Sequence, residues 1–322
     1  MVALDINIGL NAVIMAVTEG APRVLTVHKG VLSEYAPAED RPTALPFGPF
    51  EPNRHRTLEL GLREWVEEQT GLSLGYVEQL YTFGDRNRDP RERADGSRVV
   101  SIGYLALVRE NSHFRTKDAE WVNCYDFLPW EDWRSGRPSL LDQFIFPALE
   151  NWIMAEPEEQ AQRAERTSIA FATTDSRWDI ERVLDRYELL YEAGLVVEAK
   201  RDAVLKKTEA GVGRSFALDH RRMLATALAR VRGKIKYRPL VFELLAPTFT
   251  LLKLQNVVEA LSGVRLHKQN FRRLVTNNRL VEQTGNMDTE SRGRPAALFE
   301  FRRDAVRERS QPGVGLPVRQ SP

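Results

Sequence analysis

Residues 57–72 limit what this chain can fold into more than any other segment. They run Thr57-Leu58-Glu59-Leu60-Gly61-Leu62-Arg63-Glu64-Trp65-Val66-Glu67-Glu68-Gln69-Thr70-Gly71-Leu72 and are reached through Leu45-Pro46-Phe47-Gly48-Pro49-Phe50. Read as a helix, the segment sets Glu64, Glu67 and Glu68 at i, i+3 and i+4, on one face. Such carboxylates either hold a hard divalent cation, which needs oxygen ligands, or only solvate a surface helix. Just upstream, Arg54, His55 and Arg56 form a cationic stretch that would repel a metal ion.

The segment resembles the Nudix signature, GX5EX7REUXEEXGU with U aliphatic, which forms a loop, a helix and a second loop whose glutamates hold divalent metal against a pyrophosphate. Two registers compete. Reading residues 63–68 as REUXEE keeps three carboxylates, but it needs an extra residue before Gly71 and puts Trp65 in an aliphatic slot. The gapless register matches Thr57-Leu58 and Thr70-Gly71-Leu72 together, with Gly61, Leu62 and Val66 toward a sheet. It is preferred, because an insertion inside a helix turns every later side chain by about 100°. In that register Arg56, Trp65 and Gln69 replace three of the signature's glutamates and only Glu68 remains. The expectation is a Nudix-like fold without catalytic residues and without a metal site.

Composition narrows the rest. A chain of 322 residues is expected to hold two domains. The single cysteine, Cys124, excludes a disulfide framework and a Cys-based zinc site, and it reads as filler rather than nucleophile. The five histidines show no metal-binding spacing. The N-terminal residues contain Asp5 and no basic start, so no secretory leader is read there. The longest apolar run, 99–108, is about half of a membrane span. A cytoplasmic protein without membrane contact is expected. The net charge of +1 hides an asymmetry, because residues 214–303 carry 18 basic and 7 acidic side chains. Such a basic half points to nucleic acid.

Along the chain, residues 6–17 and 23–28 read as a hairpin, followed by the helix above and by a strand pair near 76–83 and 99–108. Residues 127–133 read as a Pro-interrupted loop and 140–153 as an amphipathic helix. Periodicity predicts a further helix over 178–193, stopped by Gly194. The division expected is 1–155 for a ligand-sensing domain, 156–212 for a helical linker or insertion, 213–305 for a DNA-binding domain and 306–322 for a disordered tail.

From Asp219, read as a helix cap, the pattern gives a helix ended by Gly233, then a second from Thr250 to a stop at Gly263. A third follows near 267–278, with Phe271, Leu274 and Val275 inward. Its other face carries Gln269, Arg273 and Thr276 beside Lys268, Asn270 and Arg272, types that pair with base edges and phosphates. Residues 280–284 and 297–301 read as strands around a tip at 285–295, where Arg292 and Arg294 suit phosphates or a narrow minor groove. Helices plus a basic hairpin predict a winged helix-turn-helix; a three-helix protein-interaction domain is the alternative. The fold class expected is α+β, an N-terminal Nudix-like α/β/α sandwich followed by a C-terminal winged helix-turn-helix domain.

Together these segments resemble the NrtR-type Nudix-related transcriptional regulators, in particular their alphaproteobacterial NAD-regulator branch. The resemblance is carried by residues 79–85, Arg88-Asp89-Pro90-Arg91, 99–107, 216–222, 233–237, 242–245, Asn270-Phe271-Arg272-Arg273 and Gly293-Arg294-Pro295. It implies a homodimeric repressor of NAD biosynthesis or salvage genes, bound to a palindromic double-stranded DNA operator and released by a nucleotide effector such as ADP-ribose. The residues expected to take that ligand are Gly48, Phe50, Glu68, Phe83, Arg88, Asp89 and Arg91. The alternative is an active ADP-ribose hydrolase with a DNA-binding appendage. The chain departs from the family pattern in its longer 91–98 loop and in its helical insertion at 156–212.

Overall fold

The computed structural model describes residues 6–28, 43–86, 98–110, 118–174, 177–202, 211–236, 238–289, 295–302 and 304. The expected hairpin forms as β1 (Ile6–Thr18) and β2 (Ala21–Val27), turning through Glu19 and Gly20 at φ 53° and 74°. With β3 (Phe47–Pro49), β4 (Val77–Phe83), β5 (Arg98–Leu107) and β6 (Ala119–Asn123) it makes a six-stranded sheet. The order is β4-β5-β1-β2-β6, with β3 also paired to β1; β1 and β5 run parallel and the other pairs antiparallel. Strand side chains alternate between faces, and β1 is buried on both. Leu10, Ala12 and Ile14 share a core with Leu62 and Val66 of helix α1 (Leu58–Thr70). Val13 and Met15 belong to the opposite core.

That opposite core contains the rest of the molecule. After the short α2 (Cys124–Phe127) and a 3-10 turn (Pro129–Glu131), found where an irregular loop was expected, comes a π-helical turn (Leu141–Ile145) leading into α3 (Phe146–Met154). Pro147 supplies no N–H for an i→i−4 bond, so the helix expected over 140–153 changes pitch ahead of it. Next are α4 (Gln160–Phe171), α5 (Val183–Glu192), α6 (Val197–Arg201) and α7 (His220–Ile235). Helix α5 begins five residues later than periodicity predicts. Helix α7 runs two residues past Gly233, and the Asp219 side chain makes no cap bond but pairs with Arg222 at 3.2 Å.

A 3-10 turn (Leu240–Leu244) precedes β7 (Thr248–Phe249), α8 (Leu251–Ser262), α9 (Lys268–Asn277), β8 (Val281–Asp288) and β9 (Ala296–Phe301). The three strands pair antiparallel in the order β7-β9-β8, the arrangement of a winged helix. Strand β8 extends to Asp288, beyond the expected start of the tip, with a register shift between Gln283 and Met287. Leu224, Leu228 and Val231 of α7 and Leu254 and Val258 of α8 join Val13, Met15, Leu105 and Leu107 in one core. Helices on both faces of the sheet complete the expected α/β/α sandwich, and its second layer leads directly into the winged helix. Among the described residues no helix is long and apolar enough to cross a membrane.

Candidate ligand pocket and nucleic-acid interface

Thr57 caps α1 by accepting from Leu60 N–H at 3.2 Å, and Gly71 ends the helix at φ 75°. The residues α1 buries are Gly61, Leu62, Val66 and Thr70, and the first three are those expected toward the sheet. Two side chains then tie α1 to β3. Trp65 donates Nε1–H to the Pro49 carbonyl at 2.8 Å, and its ring lies so close over Gly48 that a Cβ there would collide with it. Gln69 accepts from Phe47 N–H at 3.1 Å and donates to Phe47 O at 2.6 Å. A glutamate could accept there but not donate, so this position suits an amide.

The remaining carboxylates meet a built-in cation. Arg54 donates to Glu64 Oε1 from Nε at 2.9 Å and from Nη2 at 2.6 Å, and Nη2 also bonds Glu68. These two carboxylates hold the guanidinium above its ordinary range, first through the hydrogen bond to Glu64 and then through that to Glu68. The same guanidinium lies 5.2 Å from the Trp65 ring centre. His55, expected among the upstream cations, is instead buried: its ring packs on Gly61 and its Nδ1 accepts from Glu51 N–H at 3.0 Å. Arg56 is exposed.

Of the seven residues expected to take a ligand, Gly48, Phe50 and Glu68 share this neighbourhood, with Phe50 against His55. Phe83 lies elsewhere, buried in the core of the opposite sheet face beneath Arg222, whose guanidinium is 5.4 Å from its ring. Arg88, Asp89 and Arg91 fall outside the described residues. A cleft of about 710 Å³ opens between Arg109 and the winged helix near Phe242, Phe249 and Phe301, and none of the four described candidates, Gly48, Phe50, Glu68 and Phe83, lines it. Cys124 is fully buried and burial pushes its thiol up, away from the reactive thiolate.

Helix α9 is the counterpart on the basic half. Phe271 and Val275 are fully buried, while Leu274 is half-buried. Lys268, Gln269, Asn270, Arg272, Arg273 and Thr276 are exposed, and among the described residues none of these six side chains has an intramolecular partner. The single inward stripe and the polar outer face follow from the 3.6-residue period. Arg292 and Arg294 lie outside the described residues.

Residues 241–301 match the family model of the NrtR DNA-binding winged helix domain. The ADPR-responsive transcriptional repressor NtrR of Acinetobacter baylyi is 38% identical over 86 residues, 27% of this chain and 34% of that protein. The match thus spans about a third of the length of that curated relative. Among solved structures, Shewanella oneidensis NrtR complexed with a 27mer DNA aligns over 93% of this chain and 95% of its own, with TM-score 0.56 and 21% identity. A MutT/nudix family protein from Enterococcus faecalis aligns over 93% and 88%, with TM-score 0.53 and 18% identity. The fold is therefore a Nudix-like domain followed by an NrtR-type winged helix.

Proposed function

We propose that this chain, which has the NrtR fold and carries an NrtR-type winged helix, is a DNA-binding transcriptional repressor that senses ADP-ribose. The observation that carries this reading is the outer face of α9, where six base- and phosphate-pairing side chains stand without partners among the described residues. In a winged helix-turn-helix such a helix enters the major groove. Arg272 and Arg273 pair with guanine edges, Gln269 and Asn270 with adenine, and Lys268 and Thr276 with phosphates. Arg292 and Arg294 of the wing serve the adjoining backbone or minor groove. A homodimer sets two such helices about one turn apart on a palindromic operator. The regulated genes serve NAD biosynthesis or salvage, as the family resemblance implies.

Residues 1–155 form the sensor, 156–212 a helical insertion and 213–305 the output domain, with 306–322 as a tail. Gly48, Phe50, Glu68, Arg88, Asp89 and Arg91 are assigned to the nucleotide, and Phe83, buried under Arg222, is left out of that set. The pocket senses rather than hydrolyses. A divalent cation does not fit the carboxylates as arranged, because Arg54 spans Glu64 and Glu68 and the side chains of Trp65 and Gln69 are committed to β3.

Footprinting on DNA flanking the chain's own gene, with and without ADP-ribose, tests both halves. The expected result is a palindromic footprint that ADP-ribose weakens. No sequence-selective footprint would favour an interaction adaptor. Mg2+-dependent turnover of ADP-ribose would favour the hydrolase.

A further inference from the structure

The last carbonyls of a helix have no partners within it. In α8, the helix just before the DNA-reading one, donors from outside the winged-helix segment 241–301 take three carbonyls at that end. Tyr125 Oη donates to Ala260 O at 2.6 Å, Arg232 Nε to Leu261 O at 3.0 Å and Trp133 N–H to Gly263 O at 2.7 Å. Tyr125 and Trp133 belong to the segment that follows the large sheet, and Arg232 to α7. Gly263 sits at φ 73°, where a Cβ would collide with Glu131 O and the Arg232 guanidinium, so the close approach requires glycine.

We infer that Tyr125, Trp133 and Arg232 are positioning residues for the DNA-reading helix, fixing its attitude to the sensor and passing the effector signal to it. The inference rests on the regulatory reading above and concerns how that regulation is built.

The junction is buried. Glu131 pairs with Arg186 at 2.6 Å and with Arg232, and all three side chains are fully buried. Burial alone would push the Glu131 carboxyl up, but the two guanidiniums outweigh it and hold it below its ordinary value. Burial raises the Tyr125 hydroxyl to about 12, so it stays a donor at neutral pH. Leaving one of these buried charges unpaired is strongly unfavourable, so the cluster moves as a unit. Beyond Gly263 the turn is locked by Glu259, which accepts from Leu266 N–H at 2.9 Å, Arg265 at 2.8 Å and Gln255 at 2.8 Å. Helix α9 begins at Lys268.

The other end of α7 reaches the sensor. His220 Nδ1 accepts from Leu45 N–H at 3.0 Å, its Nε2 meets Asn11 Oδ1 at 3.1 Å, and its ring stands edge-on to Phe47, the neighbour of Gly48. Arg222 pairs with Asp85 and covers Phe83. His220 and Arg232 are separated by about 18 Å of helix at 1.5 Å per residue. A ligand that shifts Phe47, Phe83 or Asp85 thereby shifts the support of α8. Coupling requires only that the ligand bind the two arrangements with different affinity.

The test compares wild type with Tyr125→Phe, which removes one hydroxyl from the junction. Operator, nonspecific-DNA and ADP-ribose affinities are titrated, with melting temperature alongside. The factor by which ADP-ribose changes operator affinity is expected to fall by about fivefold or more, while ADP-ribose affinity without DNA and nonspecific DNA affinity stay within about twofold. A lowered melting temperature with the factor intact would mean a purely structural role and would overturn the inference. If Tyr125→Phe does not fold, Arg222→Gln at the far end of α7 decides, with the same loss of response expected and an intact factor overturning it. A wild-type protein that ignores operator DNA or nucleotide sinks the regulatory reading itself. A responsive wild type with equally responsive variants sinks only the junction.

Discussion

Helix α1 carries Glu64 and Glu68 outward and covers them with Arg54, whereas α9 leaves Lys268, Arg272 and Arg273 without intramolecular partners among the described residues. Both helices are held by an apolar inner face, through Gly61, Leu62 and Val66 in one and Phe271 and Val275 in the other. The difference lies in where the polar face spends its hydrogen bonds. A side chain already paired within its own chain must break that pair to meet a ligand. A ligand meeting Glu68 of α1 must therefore displace Arg54, whereas the outer side chains of α9 have no such pair to break among the described residues. Truncating the inner anchor of α9 should have the largest effect. Phe271→Ala is expected to cost about 3–5 kcal/mol of stability in denaturant unfolding, as for other buried aromatic truncations. A loss below about 1 kcal/mol would mean that the outer face or the wing holds α9, and the contrast would lose its basis.

Outer-face substitutions should do the reverse, weakening DNA binding with little change in folding. Arg273→Ala is expected to weaken specific operator binding by about 1–3 kcal/mol in gel-shift titration. Its folding stability should stay within about 0.5 kcal/mol, as for surface positions generally. Lys268→Ala should act more evenly, weakening all DNA sequences alike and reducing the salt-dependence slope by about 1. Unchanged operator affinity in Arg273→Ala would move the reading surface off α9. A sequence-specific loss in Lys268→Ala would make it a base reader and sharpen the face into two rows.

Much of this was readable from the chain because it is local. Thr57 and Gly71, Thr250 and Gly263 bound their helices as expected, through caps formed by neighbours in sequence. The inner and outer faces of α9 followed from period alone. What sequence could not reach depends on contacts across the fold. His55 looks like a loop cation beside Arg54 and Arg56, but Gly61 leaves room that its ring fills. Phe83 shares a strand signal with the ligand segment, yet the strand's register turns it under Arg222. Glu131, Arg186 and Arg232 lie far apart along the chain and in different elements, and no spacing rule joins them. Gln69 had a partial signal: it reads as a lost acid, and only the twofold clasp on Phe47 gives the amide its own reason.

The smallest structural effect, and the sharpest test of the contrast, belongs to Arg54→Ala. Arg54 is a surface residue whose pairs with Glu64 and Glu68 are exposed, and such pairs add little to folding, so the melting temperature should barely move. Freeing Glu64 and Glu68 from Arg54 also brings α1 nearer to α9, while Arg63 still pairs with Glu59 at 2.8 Å. If α1 kept latent hydrolytic chemistry that Arg54 merely blocks, Arg54→Ala would cleave ADP-ribose in Mg2+, and a further Glu67→Gln change would abolish it. No cleavage is expected in either protein. Where the signature has glutamates, Trp65 bonds Pro49 and Gln69 clasps Phe47, and neither bond involves Arg54, so its removal restores no missing acid. Turnover by the variant would show that α1 differs from an active Nudix helix by one arginine, and the contrast with α9 would reduce to a removable lock.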